Sequence, residues 1–190
     1  MRLSRLLGET DVRAIRGDPE RADIVAISHD SGSVAPGTLF CCVAGATVDG
    51  HDFAPQAVAA GAVALLVERE LAVDVPQIVV DDVRAAMARM ASALFDHPSR
   101  RMAVVGVTGT NGKTTTTHFL RAVLEAGGRR PAVIGTLSGV RTTPASPELQ
   151  AHLAELAGEG FDSVAMEVSS PALVQHRVDA VRLRWPSSPT

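Results

Sequence analysis

The feature that most constrains the fold of this chain is a strand, a glycine-rich loop and a helix in direct succession. The apolar run at residues 102–107 predicts a strand, residues 108–113 form the loop, and residues 114–126 predict a helix that Gly127-Gly128 ends. Strand–loop–helix units of this kind favour a parallel sheet, with ligands at the C-terminal ends of the strands.

The loop carries the only lysine of the chain, Lys113, whereas the seventeen other basic residues are arginine. A compact ammonium is the charge that a phosphate-binding loop needs, and Gly109 and Gly112 allow backbone geometry that a Cβ would block. We predict that Lys113 meets the β- and γ-phosphates of a nucleotide and that the Thr114 hydroxyl binds Mg²⁺. The match is not strict, because Val107 stands where the usual pattern has its first glycine.

Apolar spacing predicts further elements on both sides of this loop. Strands are predicted at residues 24–28, 38–43, 62–67, 77–80, 132–135 and 163–168, and helices at residues 53–60, 83–95 and 147–157. Pro98 cannot continue the helix before it. We therefore place a domain boundary there, between residues 1–98 and residues 99–190.

Composition narrows the classes of function. The chain has 190 residues, of which 46% are hydrophobic and 21% charged, as in a globular protein. Its net charge of −3 implies no affinity for nucleic acid or membrane surfaces, and we see no bilayer-spanning run and no signal peptide. The adjacent Cys41 and Cys42 are interpreted as small buried thiols. We expect a cytoplasmic protein.

The loop sequence at residues 108–115 resembles that of the Mur ligases, the ATP-dependent enzymes that add amino acids to the peptidoglycan precursor. Residues 30–31, 36–40 and 48–53 resemble the uridine-binding N-terminal domain of that family. Residues 135–137, 141–144, 166–170 and 175–178 resemble the branch that adds the third peptide residue. The resemblance implies an α/β fold, with a small uridine-binding domain followed by a truncated P-loop domain with a parallel sheet.

The resemblance also implies roles for individual residues. Lys113 and Glu167 become the candidate catalytic residues, and Thr114 and Glu167 the candidate Mg²⁺ ligands. Residues implied to bind ATP are Gly109, Thr110, Asn111, Gly112, Lys113, Thr114 and Thr115. Residues implied to bind UDP-MurNAc-dipeptide are Ser31, Ala46, Thr47, Val48, Thr142, Thr143, Ser169, Gln175 and Arg177.

The implied reaction begins when a substrate carboxylate attacks the γ-phosphate of ATP and gives an acyl phosphate. The amine of an amino acid, meso-diaminopimelate or L-lysine, then displaces phosphate to form the amide. No obligate protein partner is implied. Plainer roles also fit several of these residues: Ser31 and the pair Thr142-Thr143 as turn residues, Arg177 as a surface cation, and Glu167 as a helix cap or the ion-pair partner of Arg177.

The chain departs from the family in several places. Gly32 stands where the family usually has arginine, and Pro171 where it usually has histidine. The family binds metal through a carbamylated lysine, and this chain has no second lysine for that role.

The last residues of the chain suggest a change of reading frame. When a coding sequence for the peptide that the family typically has here is read with a shift of one base, it encodes residues 185–190. We therefore expect residues from about 184 to be out of frame and the chain to be an inactive fragment. There are two alternatives. The chain is a fragment that binds a nucleotide or a UDP-sugar without catalysis, or it belongs to another P-loop ligase, such as a folate-type polyglutamate ligase.

Overall fold

The computed structural model describes residues 1–137 and 141–184, and the chain divides into two compact units, Met1–Leu94 and Phe95–Thr190. The interpretation that residues from about 184 are out of frame falls on residues 185–190, which lie outside the described residues. Both units have the α/β construction that the sequence predicts. Within the described residues, none of the helices is both long and apolar enough to cross a membrane.

The first unit is built on a five-stranded sheet in the order β1-β5-β4-β3-β2. Its strands are β1 (Ala14–Arg16), β2 (Ala26–Ser28), β3 (Thr38–Cys41), β4 (Ala62–Val67) and β5 (Gln77–Val79), and its helices are α1 (Leu3–Leu7), α2 (Ala54–Ala59) and α3 (Val83–Leu94). Strands β2 to β5 pair in parallel, whereas β1 is antiparallel to β5 at the edge. The sequence pattern missed α1, which has only five residues, and β1, an edge strand of three residues of which none is buried, so neither shows a clear apolar pattern.

Helices cover both faces of this sheet. Cys41 belongs to the cluster formed with α1 and α3, and Cys42 to the cluster formed with α2, so the two side chains point to opposite faces of the sheet. Both thiols are free and buried. Burial is the main cause that raises the pKa of Cys41 well above its usual value and, with the charge of Asp49, the pKa of Cys42 to about 12. Neither cysteine is therefore a reactive thiolate at neutral pH.

A buried histidine fixes the loop that follows β3. The His51 side chain is fully buried, with Nδ1 2.6 Å from Asp49 Oδ1, and the Glu68 N–H donates to its Nε2 over 3.0 Å. Because Nε2 accepts, the ring proton lies on Nδ1 and is donated to Asp49. Arg69 donates to the second Asp49 oxygen over 2.8 Å. All polar atoms of the imidazole are thus satisfied, and the loop is tied to the end of β4.

The second unit is built on a three-stranded parallel sheet in the order β6-β8-β7. Its strands are β6 (Ala103–Val107), β7 (Pro131–Ile134) and β8 (Ser163–Glu167), and its helices are α4 (Lys113–Ala126), α5 (Ser146–Gly158) and α6 (Ser170–Val174). The predicted elements are all present, with ends that differ by at most one residue. In the register, Val107 at the end of β6 lies opposite Glu167 at the end of β8, which brings the segments that follow both strands together.

The core of the second unit predicts which side chains cannot be shortened without loss of stability. Leu153 of α5 is fully buried in the cluster that includes Val164 and Met166. Leu153→Ala leaves a cavity that neighbours fill only in part, and we expect the free energy of unfolding to fall by about 2–5 kcal/mol. Urea denaturation measures it. Leu137, which is 76% exposed, is the matched control, and Leu137→Ala should change stability by less than about 0.5 kcal/mol. Equal losses in the two variants would contradict the assigned core.

The Asp49 carboxyl predicts a pH dependence of stability. The backbone N–H of His51 is the largest cause that holds the Asp49 pKa well below its usual value, followed by the His51 ring and Arg69. A pKa that is lower in the folded than in the unfolded state stabilises fully above the unfolded pKa of about 3.9, and this stabilisation is lost as the pH falls below it. Asp49→Asn should therefore destabilise the protein at neutral pH, and the difference from wild type should shrink below about pH 4.

Urea denaturation from about pH 7 to about pH 3 follows this difference. The control is Asp74→Asn, which removes the same charge at an exposed position and should leave stability nearly unchanged at every pH. A difference between wild type and Asp49→Asn that stays constant across the series would exclude the carboxylate as its cause.

Candidate functional site

The glycine-rich loop has the backbone of an anion-binding site. Gly109 and Gly112 have φ of 142° and 80°, in the region that residues with a Cβ rarely adopt, so both glycines are needed for conformation. Helix α4 begins at Lys113, directly after Gly112, and has no side-chain cap. The N–H groups of its first turn therefore point toward the loop, and the positive end of the helix dipole lies at the same place.

Lys113 bends back over this loop. Its ammonium donates to the carbonyl of Gly109 over 2.7 Å and to that of Thr110 over 3.3 Å. Thr110, Asn111 and Thr115 are exposed on the same loop and the following turn. The only lysine of the chain thus lies at the positive end of α4, the position predicted to bind phosphate.

Glu167 is the buried acid of this site. It ends β8, its side chain is only 2% exposed, and its Oε1 accepts from the Thr114 hydroxyl over 2.9 Å. The Thr136 N–H donates to the same oxygen over 3.1 Å, and the Thr136 hydroxyl donates to Oε2 over 3.3 Å. Glu167 caps no helix, and within residues 1–137 and 141–184 it forms no ion pair. All of its donors are neutral.

These contacts test whether the site suits Mg²⁺, which the Mur ligase resemblance implies. A buried carboxylate without a cationic partner is costly, and the Glu167 and Thr114 oxygens are the hard ligands that Mg²⁺ prefers. Mg²⁺ usually takes one or two protein oxygens and completes its octahedron with water and phosphate. The donor set therefore fits: Glu167 and Thr114 would hold the ion, with nucleotide oxygens beside them.

The two threonines predicted to bind substrate lie in different surroundings. Thr143 is 1% exposed, and its hydroxyl donates to the Glu167 carbonyl over 2.9 Å and accepts from the Ser169 N–H over 3.1 Å. Thr142 is partly exposed, and its hydroxyl lies 3.2 Å from that of Thr136. The Thr143 hydroxyl is thus already used to join the segments after β7 and β8, whereas that of Thr142 remains accessible.

The segment after β8 gathers the other residues predicted for substrate. Ser169 caps α6 by accepting from the Ala172 N–H over 3.3 Å. Arg177 donates through Nε and Nη2 to Gln175 Oε1, over 3.0 and 2.6 Å, and through Nη1 to the Thr143 carbonyl over 2.7 Å. The guanidinium is therefore oriented by the protein, and Arg177 is more than a surface cation.

Pro171 lies in the first turn of α6, where a backbone N–H has no helical partner. The loss of an N–H at this departure from the family therefore costs no helical hydrogen bond. The difference in side chain from a histidine remains.

The first unit has a separate cavity of about 250 Å³ on the side where the uridine end was predicted. Ser31 and Val48 line it, whereas Ala46 and Thr47 lie exposed in the loop before Val48. Asp30 accepts from the Gly32 N–H over 2.9 Å and so shapes the turn at this cavity. Side chains that line it but were not predicted are His29, Phe40 and Phe53.

Sequence reasoning also missed Gly135 and Thr136 as part of the site. Both follow β7, and a cavity of about 180 Å³ is lined by Gly135, Glu167 and His118, among others. The available signal was position, because parallel strands bring their C-terminal ends to one edge, and Gly135 is the last residue of the strand predicted at residues 132–135 while Thr136 directly follows it.

Comparison with known proteins identifies the family. Two family models match the chain: the one described as Mur ligase family, catalytic domain, at residues 23–94, and the one described as Mur ligase middle domain, at residues 107–185. The chain is 50% identical over 185 residues to the UDP-N-acetylmuramoyl-L-alanyl-D-glutamate–2,6-diaminopimelate ligase of Geobacillus thermodenitrificans, covering 93% of this chain and 37% of that protein. With the ligase of the same name from Geobacter sulfurreducens it shares 44% over 193 residues, covering 96% and 38%.

Solved structures agree with this similarity. A structure of UDP-N-acetylmuramoyl-L-alanyl-D-glutamate–2,6-diaminopimelate ligase superimposes with a TM-score of 0.76 at 27% identity, covering 95% of this chain and 38% of that one. MurF from Thermotoga maritima, in complex with ADP, has the same fold with a TM-score of 0.59 at 24% identity, covering 83% and 35%. The chain spans little more than a third of the length of these relatives. It belongs to the Mur ligase family and carries the N-terminal part of that family's architecture.

Proposed function

We propose that this chain supplies the precursor-binding and ATP-binding part of a ligase that adds the third amino acid to UDP-MurNAc-L-Ala-D-Glu. The observation that carries the proposal is the contact between the Thr114 hydroxyl, in the first turn of α4 after the glycine loop, and the buried Glu167 carboxylate. It brings a phosphate-binding helix terminus and a candidate metal ligand to the same strand ends. The domain assignment, residues 1–98 for the uridine end and residues 99–190 for ATP, is part of the proposal.

The proposed reaction is ATP-dependent amide formation through an acyl phosphate. ATP brings three phosphates to the N-terminus of α4, and Lys113 exchanges the carbonyls of Gly109 and Thr110 for phosphate oxygens. There its charge offsets the charge that develops on the transferring phosphoryl group. Mg²⁺, held by Thr114 and Glu167, supplies further neutralisation of the phosphates when it is bound. The substrate carboxylate then meets less repulsion when it attacks the γ-phosphorus, and ADP leaves as the bond from that phosphorus to the bridging oxygen breaks and the acyl phosphate forms.

The acceptor is assigned from the accessible polar groups. Thr142, Ser169 and the oriented guanidinium of Arg177 lie on the segments that follow β7 and β8, and we assign them to the MurNAc-dipeptide. Arginine binds carboxylate or phosphate through two parallel hydrogen bonds. The cavity lined by Ser31 and Val48 is assigned to the uridine end. Of the two candidate amino acids, meso-diaminopimelate is favoured over L-lysine by the names of the relatives.

A second candidate function is binding without turnover. Lys113 is the only lysine and is engaged at the phosphate loop, so no lysine in this chain is left for carbamylation. We expect the chain to bind ATP and the UDP-linked dipeptide but to release neither ADP nor ligated product on its own. A folate-type acceptor is disfavoured because it has no uridine end for the cavity in the first unit.

Lys113→Ala tests the nucleotide site. Removing an ammonium that binds phosphate should weaken ATP binding about 10- to 100-fold, because a hydrogen bond to a charged group contributes roughly 1.5–3 kcal/mol. Isothermal titration calorimetry of the full chain measures the dissociation constant. Arg129→Ala is the control, since Arg129 pairs with Asp162 and its loss removes the same charge without touching the loop. If ATP binding weakened equally in both variants, the effect would come from the overall charge of the protein and not from a contact between Lys113 and phosphate.

Thr142 and Thr143 separate binding from structure. Thr143→Val leaves the buried Glu167 carbonyl and Ser169 N–H without their shared partner and should lower the free energy of unfolding by about 1–3 kcal/mol. Thr142→Val should leave stability within about 0.5 kcal/mol of wild type and weaken binding of UDP-MurNAc-L-Ala-D-Glu. Calorimetry and urea denaturation read the two effects. Unchanged dipeptide affinity in Thr142→Val would remove this residue from the substrate site.

A further inference from the structure

Gly135 is a glycine because of space and not because of conformation. Its φ is not among the positive values of the chain, so a residue with a side chain could adopt its backbone. A Cβ at this position would lie 2.3 Å from Glu167 Oε1, 2.7 Å from Cδ and 2.8 Å from Cγ. The carboxylate of Glu167 therefore lies directly against the Cα of Gly135, in room that any other residue would occupy.

Thr136 holds the same carboxylate from the adjacent position. Its backbone N–H reaches Oε1 over 3.1 Å and its hydroxyl reaches Oε2 over 3.3 Å, so one residue contacts both oxygens. The Thr136 hydroxyl has a single hydrogen, which goes to the carboxylate, so the Thr142 hydroxyl must donate to Thr136 over their 3.2 Å separation. Hydrogen bonds thus run from Thr142 through Thr136 to Glu167.

We propose that Gly135 and Thr136 are positioning residues that aim the Glu167 carboxylate at Thr114 and tie it to Thr142. The inference rests on the proposed function, because Glu167 acquires its task only with nucleotide and Mg²⁺. Neither residue touches a reacting atom. Gly135 leaves the space, Thr136 fixes the orientation, and the link to Thr142 couples the metal ligand to the predicted dipeptide site.

The sheet explains why the carboxylate must move if Gly135 is changed. Ile134, the last residue of β7, pairs with Met166 directly before Glu167, so β7 and β8 cannot separate at this point without breaking their ladder. A methyl group at residue 135 must therefore displace the Glu167 side chain. The displaced carboxylate loses the Thr114 hydroxyl, and with it the arrangement that holds a cation beside the phosphates.

The test is the effect of Mg²⁺ on ATP affinity, measured by isothermal titration calorimetry of the full chain with and without Mg²⁺. In wild type, Mg²⁺ should strengthen binding. Glu167→Gln and Gly135→Ala should both reduce that strengthening, taken as the ratio of the two dissociation constants of each variant, by about tenfold or more. Gly158→Ala is the matched control, because the same methyl at the end of α5 meets no atom within 4 Å, and it should behave as wild type.

Thr136 provides a second pair of variants that keeps the test valid if Gly135→Ala does not fold. Thr136→Val keeps the backbone N–H and removes the hydroxyl, and should reduce the Mg²⁺ effect about three- to tenfold. Thr136→Ser keeps the hydroxyl and should restore it to within about twofold of wild type. If the Thr136 side chain had only a structural role, Thr136→Val would lower thermal stability, and Thr136→Ser would not recover the effect of Mg²⁺ on ATP affinity.

The outcomes distinguish the inference from the proposed function. Wild type without measurable ATP binding would overturn the proposed function, and the inference with it. Wild type that responds to Mg²⁺, with Glu167→Gln impaired but Gly135→Ala and Thr136→Val unchanged, would overturn the inference alone. Loss in Glu167→Gln, Gly135→Ala and Thr136→Val, with recovery in Thr136→Ser, would establish it.

Discussion

The parallel pairing of β8 with β6 and β7 is the constraint on which the second unit depends. Parallel strands place their C-terminal ends at one edge, and β8 lies between the strand before the glycine loop and the strand before Gly135. Glu167 is therefore the residue where both neighbours meet, and its contact with Thr114 joins positions 53 residues apart. Without this register the glycine-rich loop that we propose for phosphate would have no carboxylate beside it.

Glycines serve two different physical purposes at this edge. Gly109 and Gly112 have positive φ and are required by backbone conformation, whatever lies around them. Gly135 has no such requirement and is explained by the Glu167 carboxylate against its Cα. The first kind shapes the anion-binding loop itself, whereas the second leaves room for a side chain from another strand. A substitution at Gly109 or Gly112 therefore disturbs the backbone of the loop, whereas a substitution at Gly135 displaces the Glu167 side chain.

The difference also explains how much the sequence could predict. Helices and strands with a clear apolar pattern were predicted, and the glycine-rich loop was identified because its glycines, lysine and threonines lie close together in the sequence. The short α1 and β1, the junction made by Thr143 and the support given by Thr136 were not found. Thr143 and Thr136 act through contacts between residues 24 to 31 positions apart, whereas α1 is too short and β1 too exposed to show an apolar pattern. The resemblance supplied Thr143 as a substrate residue, but only the folded structure reveals that its hydroxyl is buried between two backbone groups.

Two buried ionisable groups show why one site is read as functional and the other as structural. His51 has both ring nitrogens satisfied, by Asp49 and by the Glu68 N–H, and Arg69 balances the charge of Asp49. Nothing in that network requires a further partner. Glu167 accepts only from the neutral groups of Thr114 and Thr136, and its charge is balanced by no cation among the described residues. A cation from solution would stabilise a buried carboxylate in that state, and this supports the proposal that Glu167 binds a cation that arrives with a nucleotide at the glycine-rich loop beside it.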